Sequence, residues 1–139
     1  MKRKISKKQK RRRKKKSPRW IIRDKLWEIC KFQTRTRDNN ICQKCGKVVE
    51  GTNCHTSHVI PVSYSLRLAY DLVNLKILCY HCHINWWHKN PVEAGDWFKK
   101  KFPKRWKYLQ KRKIEIQYMG SVKLYELEEW LENLRREIE

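Results

Sequence analysis

The hydrophobic pattern near the N-terminus predicts a helix. Ser17 is a good N-cap, and the proline after it suits the first helical position. Ile22, Leu26 and Ile29 then follow at i, i+4 and i+7. A helix over residues 18–32 would therefore bury one apolar stripe.

The centre of the chain predicts strands, followed by further helices. The short apolar runs at 59–60 and 75–78 are typical of β-strands. We expect a helix to open at Cys82. The sequence Asn-Pro-Val-Glu then resembles a capping box and predicts a helix over 90–102, and a proline starts the next one over 103–113.

The C-terminal segment predicts an amphipathic helix over 122–138. Its apolar residues step by three and four positions, as in a coiled-coil seam, and they are Leu124, Leu127, Leu131, Leu134 and Ile138. Glutamates dominate the rest of the segment, so it is unsuited to binding phosphate. The seam either packs back on the domain or forms a homodimer.

The charge of the chain indicates a polyanionic partner. Lys and Arg number 35 against 14 Asp and Glu, for a net charge of +21, and such an excess favours DNA. Residues 1–17 hold most of a dense basic run and predict a disordered tail, which either binds phosphates or only solubilises the chain. Since there is no long apolar run and no signal peptide, we expect a cytoplasmic protein with no membrane partner.

Two C-x-x-C units predict a structural zinc site. The thiolates of Cys42, Cys45, Cys79 and Cys82 can surround Zn²⁺ tetrahedrally and leave no open position for catalysis. In a reducing compartment, metal binding is favoured over disulfides. The same pattern also fits a zinc knuckle that only binds nucleic acid. Cys30 and Cys54 should be free thiols.

The histidines indicate a second, catalytic centre. Five of them lie within residues 55–88, and a closed zinc site has no use for them. Phosphodiester hydrolysis needs a base to activate water and a divalent cation to stabilise charge on the phosphate. Imidazole can serve as the base or as a metal ligand.

The order of these pieces resembles the HNH endonucleases, also called ββα-metal or His-Me finger nucleases. The resemblance rests on Asp38-Asn39-Asn40-Ile41-Cys42-Gln43-Lys44-Cys45-Gly46, His58-Val59-Ile60-Pro61, Asn74-Leu75 and Leu78-Cys79-Tyr80-His81-Cys82-His83. It implies a hairpin and helix that grip one divalent ion in a DNA endonuclease. It assigns His58 as general base, Asn74 as the amide that braces its loop, and His83 as metal ligand.

One position departs from the family pattern. Many members carry Asp or His as a further ligand just before the base, and here that residue is Ser57. Its hydroxyl or water could substitute, or His55 or His88 could reach the catalytic ion, for which Mg²⁺, Mn²⁺ or another divalent ion is expected. Segment 67–74, with Ser57-His58, is also loosely similar to phage Rap/NinG-type recombination endonucleases, which cut branched DNA.

The combined expectation is an α+β fold with a small zinc-stapled ββα-metal core and flanking helices. Its divisions are a tail at 1–17, a nuclease domain at 18–113 and the acidic helix in 114–139. The candidate nucleic-acid contacts are Trp86, Trp87, Lys89, Lys99, Lys100, Lys104 and Arg105. The tryptophans could equally be core and the basic residues a solvated face. A nicking or branched-DNA endonuclease is the first functional hypothesis, and a non-catalytic zinc-knuckle binding protein is the alternative.

Overall fold

A computed structural model describes residues 15–138 and confirms the α+β class. Its elements are α1 (Pro18–Arg37), β1 (His55–His58), β2 (Leu75–Leu78), a π-helix (His81–Trp87), α2 (Pro91–Lys101), α3 (Pro103–Ile116) and α4 (Leu124–Ile138). Short 3₁₀ turns lie at Gly51–Asn53, Leu66–Leu68 and Leu72–Asn74. Most of the tail predicted at 1–17 lies outside the described residues.

Helix α1 is longer than predicted. The Ser17 hydroxyl caps it by accepting from the backbone N–H of Trp20. The helix continues beyond residue 32 because no helix-breaking residue follows until Asn39 and Asn40, whose φ angles are 55° and 54°. Leu26 is fully buried, whereas the other two predicted stripe residues are only half-buried.

The two strands pair antiparallel, with Ser57 opposite Lys76 and His58 opposite Leu75. The strand at 75–78 is confirmed. The strand predicted at 59–60 is wrong, because β1 ends at His58 and the N–H of Ile60 donates instead to a side-chain amide oxygen. The sequence pattern missed β1 because His-Thr-Ser-His carries no apolar signal.

The helix predicted after the second C-x-x-C unit is present as a π-helix. Helix α2 then begins at Pro91 as expected, but the side chain of Asn90 makes no capping hydrogen bond. Helix α3 continues to Ile116, so the first part of segment 114–119, whose pattern fits either a strand or a helix, is helical. Ala94 and Phe98 are the buried residues of α2.

The amphipathic C-terminal helix packs back on the domain. Leu127 and Leu131 of α4 join Leu26 of α1 in one buried cluster. An ion pair of 2.8 Å between Arg67 and Glu126 fixes the start of the helix. The middle of the seam is therefore occupied within the chain, whereas Leu124 and Ile138 at its two ends are exposed. Across residues 15–138, no helix has the length and apolar character needed to cross a bilayer.

Candidate active site and zinc cluster

The structure brings the four predicted zinc ligands together. The Sγ atoms of Cys42, Cys45, Cys79 and Cys82 all lie within 4.8 Å of one another, and the pair Cys45–Cys79 is separated by 3.9 Å. Four sulfurs at about 2.3 Å from a tetrahedral Zn²⁺ lie about 3.8 Å apart. The cluster therefore fits zinc. Cys30 and Cys54 form no disulfide.

Backbone hydrogen bonds prepare the first cysteine for metal binding. Burial alone would raise the pKa of Cys42, but backbone N–H groups of Cys45, Cys79 and Lys44 outweigh it and lower the pKa to about 7. A thiolate is the form that binds zinc. The N–H of Gln43 donates to the Ile77 carbonyl over 2.9 Å, which ties the first C-x-x-C unit to β2.

His58 lies at the end of β1 with its ring orientation fixed. Its Nε2 is 2.9 Å from the carbonyl oxygen of Ala69, and its ring stacks on Trp27 with centroids 5.1 Å apart. Because a carbonyl only accepts, Nε2 carries the hydrogen and Nδ1 keeps a lone pair. Burial, together with the charge of Lys76, lowers the pKa of His58 despite the Ala69 hydrogen bond. The neutral ring is therefore the resting form at neutral pH.

Asn74 is fully buried and spans the loop that follows His58. Its Nδ2 donates to the carbonyls of Ile60 and Leu68 at 3.0 and 2.9 Å, and its Oδ1 accepts from the Ile60 N–H at 2.7 Å. Leu68 directly precedes Ala69, whose carbonyl holds the His58 ring. One amide thus braces both ends of the loop around His58.

Three further histidines form a row beside this loop. The Nδ1 atoms of His55 and His83 are 2.9 Å apart, and the Nε2 atoms of His83 and His88 are 3.0 Å apart. Burial and the adjacent His88 and His55 rings lower the pKa of His83 to about 4. His83 is therefore neutral, which is the form that binds metal.

The π-helix explains how His83 and His88 meet. The backbone N–H of His88 donates to the carbonyl of His83, an i→i+5 hydrogen bond of 3.1 Å. Side chains five positions apart therefore lie on the same face, whereas an α-helix would rotate them away from each other. The spacing suits one ion, since two nitrogens about 2.1 Å from a metal and at right angles to each other are about 3.0 Å apart.

A cavity of about 650 Å³ connects the predicted base and the histidine row. Its lining includes Thr56, His58, His83, His88, Trp87 and Lys113. The predicted base, His83 and His88 therefore face the same space, whereas His55 is not part of this lining. His81 lies exposed outside this lining.

Ser57 does not face that cavity. It is buried, and its hydroxyl accepts a 3.1 Å hydrogen bond from Lys76 Nζ. Lys76 is fully buried as well, and its Nζ lies 3.2 Å from the centroid of the Trp87 ring. Burial, with the charge of Arg105, holds the pKa of Lys76 well below its usual range.

Sequence reasoning missed Lys76, Trp27 and the Ala69 carbonyl as parts of the site. A lysine alternating with apolar residues in a short strand indicates a solvent-facing position, so no signal pointed to its burial. Trp27 and Ala69 act through long-range contacts that a linear pattern does not encode.

The predicted nucleic-acid residues separate into different environments. Lys89, Lys99, Lys100 and Lys104 are exposed, and Trp86 is half-buried. Arg105 donates to the carbonyls of Val73 and Leu75. Trp87 packs into the core beside Lys76.

The same central stretch carries the family signature. Residues 42–85, about a third of the chain, match the protein-family model described as HNH endonuclease. The match includes all four clustered cysteines together with His58, Asn74 and His83. The chain therefore resembles the HNH endonucleases here, and a nuclease of the HNH type is the class that the match supports.

Two other comparisons add no relatives. Neither the curated proteins nor the solved structures include a significant match to this chain. The looser resemblance to phage Rap/NinG-type recombination endonucleases thus has no counterpart among these findings.

Proposed function

We propose that the protein is a divalent-metal-dependent DNA endonuclease that hydrolyses phosphodiester bonds. The observation that carries this proposal is that His58, His83 and His88 line one cavity beside a four-cysteine zinc cluster. A binding module needs the cysteines but has no use for a desolvated imidazole facing a ligand space.

His58 is the general base. Its Nε2–H is engaged by the Ala69 carbonyl, so the free Nδ1 accepts the proton of the attacking water. The lowered pKa keeps the ring neutral at physiological pH. Asn74 holds the loop on both sides of the base, and Trp27 prevents the ring from tilting.

His83 and His88 are the protein ligands of the catalytic ion. Their Nε2 atoms are 3.0 Å apart at the cavity, and these two imidazoles would hold the ion. Held there, Mg²⁺, Mn²⁺ or another divalent ion would stabilise charge on the phosphate and on the departing 3′ oxygen, and imidazole ligands favour the softer ions. Lys113 also lines this cavity and would attract the scissile phosphate.

A second cleft, of about 750 Å³, extends the proposed DNA path. Lys44, Trp86, Pro91, Asp96, Trp97 and Lys100 belong to its lining. Pro91 also lines the catalytic cavity, so the first turn of α2 lies between the two spaces. The indoles offer stacking surfaces and the lysines offer phosphate contacts, whereas Arg105 is already committed to backbone carbonyls.

Plasmid nicking tests the proposal. Wild-type protein with Mn²⁺ or Mg²⁺ should relax supercoiled DNA, and His58→Ala should lose about 10²- to 10⁴-fold in rate. His81→Ala is the matched control, because that ring is exposed and outside the cavity. DNA binding should persist in all three proteins. Equal inertness of wild type and His58→Ala, with binding retained, would instead identify a zinc-knuckle binding protein.

A further inference from the structure

The geometry points to His55 as a positioning residue that fixes the ring of His83 for metal binding, without itself binding the ion. This inference rests on the proposed function to the extent that His83 is a ligand of the catalytic ion. His55 lies at the start of β1, where its ring meets His83 edge-on at a centroid distance of 5.2 Å.

The hydrogen-bond chain fixes which nitrogen carries each proton. His55 Nε2 is 2.9 Å from the carbonyl oxygen of Thr52, which can only accept. Nε2 is therefore the protonated nitrogen of the neutral ring, and Nδ1 is left as an acceptor. The neighbouring Nδ1 of His83, 2.9 Å away, must donate to it.

This arrangement leaves the other nitrogen of His83 unprotonated. Its Nε2 lone pair points toward His88 Nε2 at 3.0 Å, the pair whose spacing suits one ion. Ligating histidines usually donate their second N–H to a carboxylate, a carbonyl or water, which fixes the ring and raises its basicity. Here the acceptor is another imidazole.

The loop that supplies the Thr52 carbonyl is itself anchored. It forms the 3₁₀ turn Gly51–Asn53, and Asn53 Oδ1 accepts from the N–H of Tyr80 at 2.8 Å. Tyr80 also packs edge-on against the His55 ring at 5.7 Å. The carbonyl, the ring of His55 and the second C-x-x-C unit are therefore held as one piece.

The ring positions exclude one ion that is bound by His55, His83 and His88 together. His83 contacts His55 through Nδ1 and His88 through Nε2, and one imidazole cannot direct both nitrogens at one ion. Over residues 15–138, the four cysteines are the one group of three or more potential ligands whose donor atoms lie within 4.8 Å of each other. In the histidine row, His83 and His88 are thus the pair that can bind one ion, and His55 orients the ring of His83.

Two substitutions at position 55 test whether the hydrogen-bond acceptor of His55 strengthens metal binding by His83. Asn places its Oδ1 close to the position of imidazole Nδ1 and keeps an acceptor for His83, whereas Phe keeps the ring and removes the acceptor. In protein that already holds one zinc per chain, calorimetric titration with Mn²⁺ should show His55→Phe weakened about 10- to 100-fold and His55→Asn close to wild type. Unchanged affinity in His55→Phe would overturn the inference.

Nitrogen-15 NMR of the imidazole rings separates a positioning residue from a ligand. The wild type should show His55 protonated at Nε2 and His83 at Nδ1, and a second equivalent of Zn²⁺ should shift only the Nε2 resonances of His83 and His88. The exposed ring of His81 is the internal control. A metal-bound shift at Nδ1 of His55 would contradict the assignment. Neither measurement uses DNA cleavage, so an inert protein would refute the proposed function and leave this inference standing.

Discussion

The two candidate metal sites of this protein differ in how far the chain encloses them. The cysteine cluster takes four donors from two tight loops, which saturate a tetrahedral ion. The histidine row supplies two adjacent Nε2 atoms at the wall of a cavity. A saturated ion suits a structural role, so the cysteine cluster is the closed site of the protein. An ion held by two histidines could also bind water and phosphate, so the pair His83 and His88 is the open site.

Both sites nevertheless share one short piece of chain. Cys82 and His83 are sequence neighbours in the π-helix, yet Cys82 turns to the sulfur cluster and His83 to the cavity. The strand β2 leads into this segment from Asn74, which braces the loop that follows His58. The closed site therefore sets the position of the open one, and damage to the first should destroy both.

The largest effect should come from the closed site. Cys79→Ser removes one of the four predicted zinc ligands, and zinc-finger peptides gain about 10–16 kcal/mol from binding structural zinc. We expect a chain with little zinc and no cooperative thermal transition. Circular dichroism and metal analysis measure this. Cys54→Ser, outside the cluster, should fold normally, and a stably folded Cys79→Ser would contradict a structural role.

A substitution in the open site should reduce the nicking activity and leave the stability of the fold unchanged. His83→Ala removes a proposed ligand of the catalytic ion and should reduce nicking by at least about 10-fold, with a larger Mn²⁺ requirement. Its melting temperature and its content of one zinc should stay close to wild type. Loss of the zinc in this variant would show that the two centres are not separate.

Asn74→Ala should lower stability and activity together. It leaves buried groups on Ile60 and Leu68 without their partner, so we expect a loss of about 3 kcal/mol in the free energy of unfolding. Urea denaturation measures the loss. Asn133→Ala, on the exposed side of α4, should change stability by less than about 0.5 kcal/mol. An equally small loss for Asn74→Ala would show that Asn74 does not brace the loop after His58.

The pH dependence of nicking should report His58. Its pKa lies below the ordinary 6.5, and the neutral form accepts the proton, so the rate at saturating Mn²⁺ should be flat above pH 6.5. The rate should fall only as the pH decreases through the lowered pKa. The residual rate of His58→Ala should lack this step. If the nicking rate of the wild type fell with a midpoint above pH 6.5, the result would contradict a buried base with a lowered pKa.

The smallest effect should come from the second cleft. Lys44→Ala and Lys100→Ala should each reduce the salt dependence of DNA binding by about one phosphate contact and leave the rate at saturating DNA unchanged. Fluorescence anisotropy with labelled DNA at several salt concentrations measures the slope. Lys123→Ala, at the start of the acidic helix, is the control, and equal slopes for all variants would exclude the cleft from the DNA path.

The sequence predicted the parts whose signal is local. The cysteine spacing indicated the closed cluster, and the proline positions located the starts of α1, α2 and α3. It did not predict β1, since a run of polar residues resembles a loop. The strand forms because it pairs with β2, and Asn74 accepts a hydrogen bond from Ile60 in the loop that follows it. His88 was one of two candidates to join His83 at the catalytic ion, but the sequence could not show that their rings meet, because that depends on a π-helix and not on the usual helical period.

The most direct test of the account measures nicking against metal content. Apo protein refolded with one equivalent of Zn²⁺ should be folded and inert, and added Mn²⁺ should start nicking in the wild type but far less in His83→Ala. That result would assign folding to the sulfur cluster and hydrolysis to the histidine row. Nicking at one zinc per chain, or an equal response to Mn²⁺ in both proteins, would contradict it.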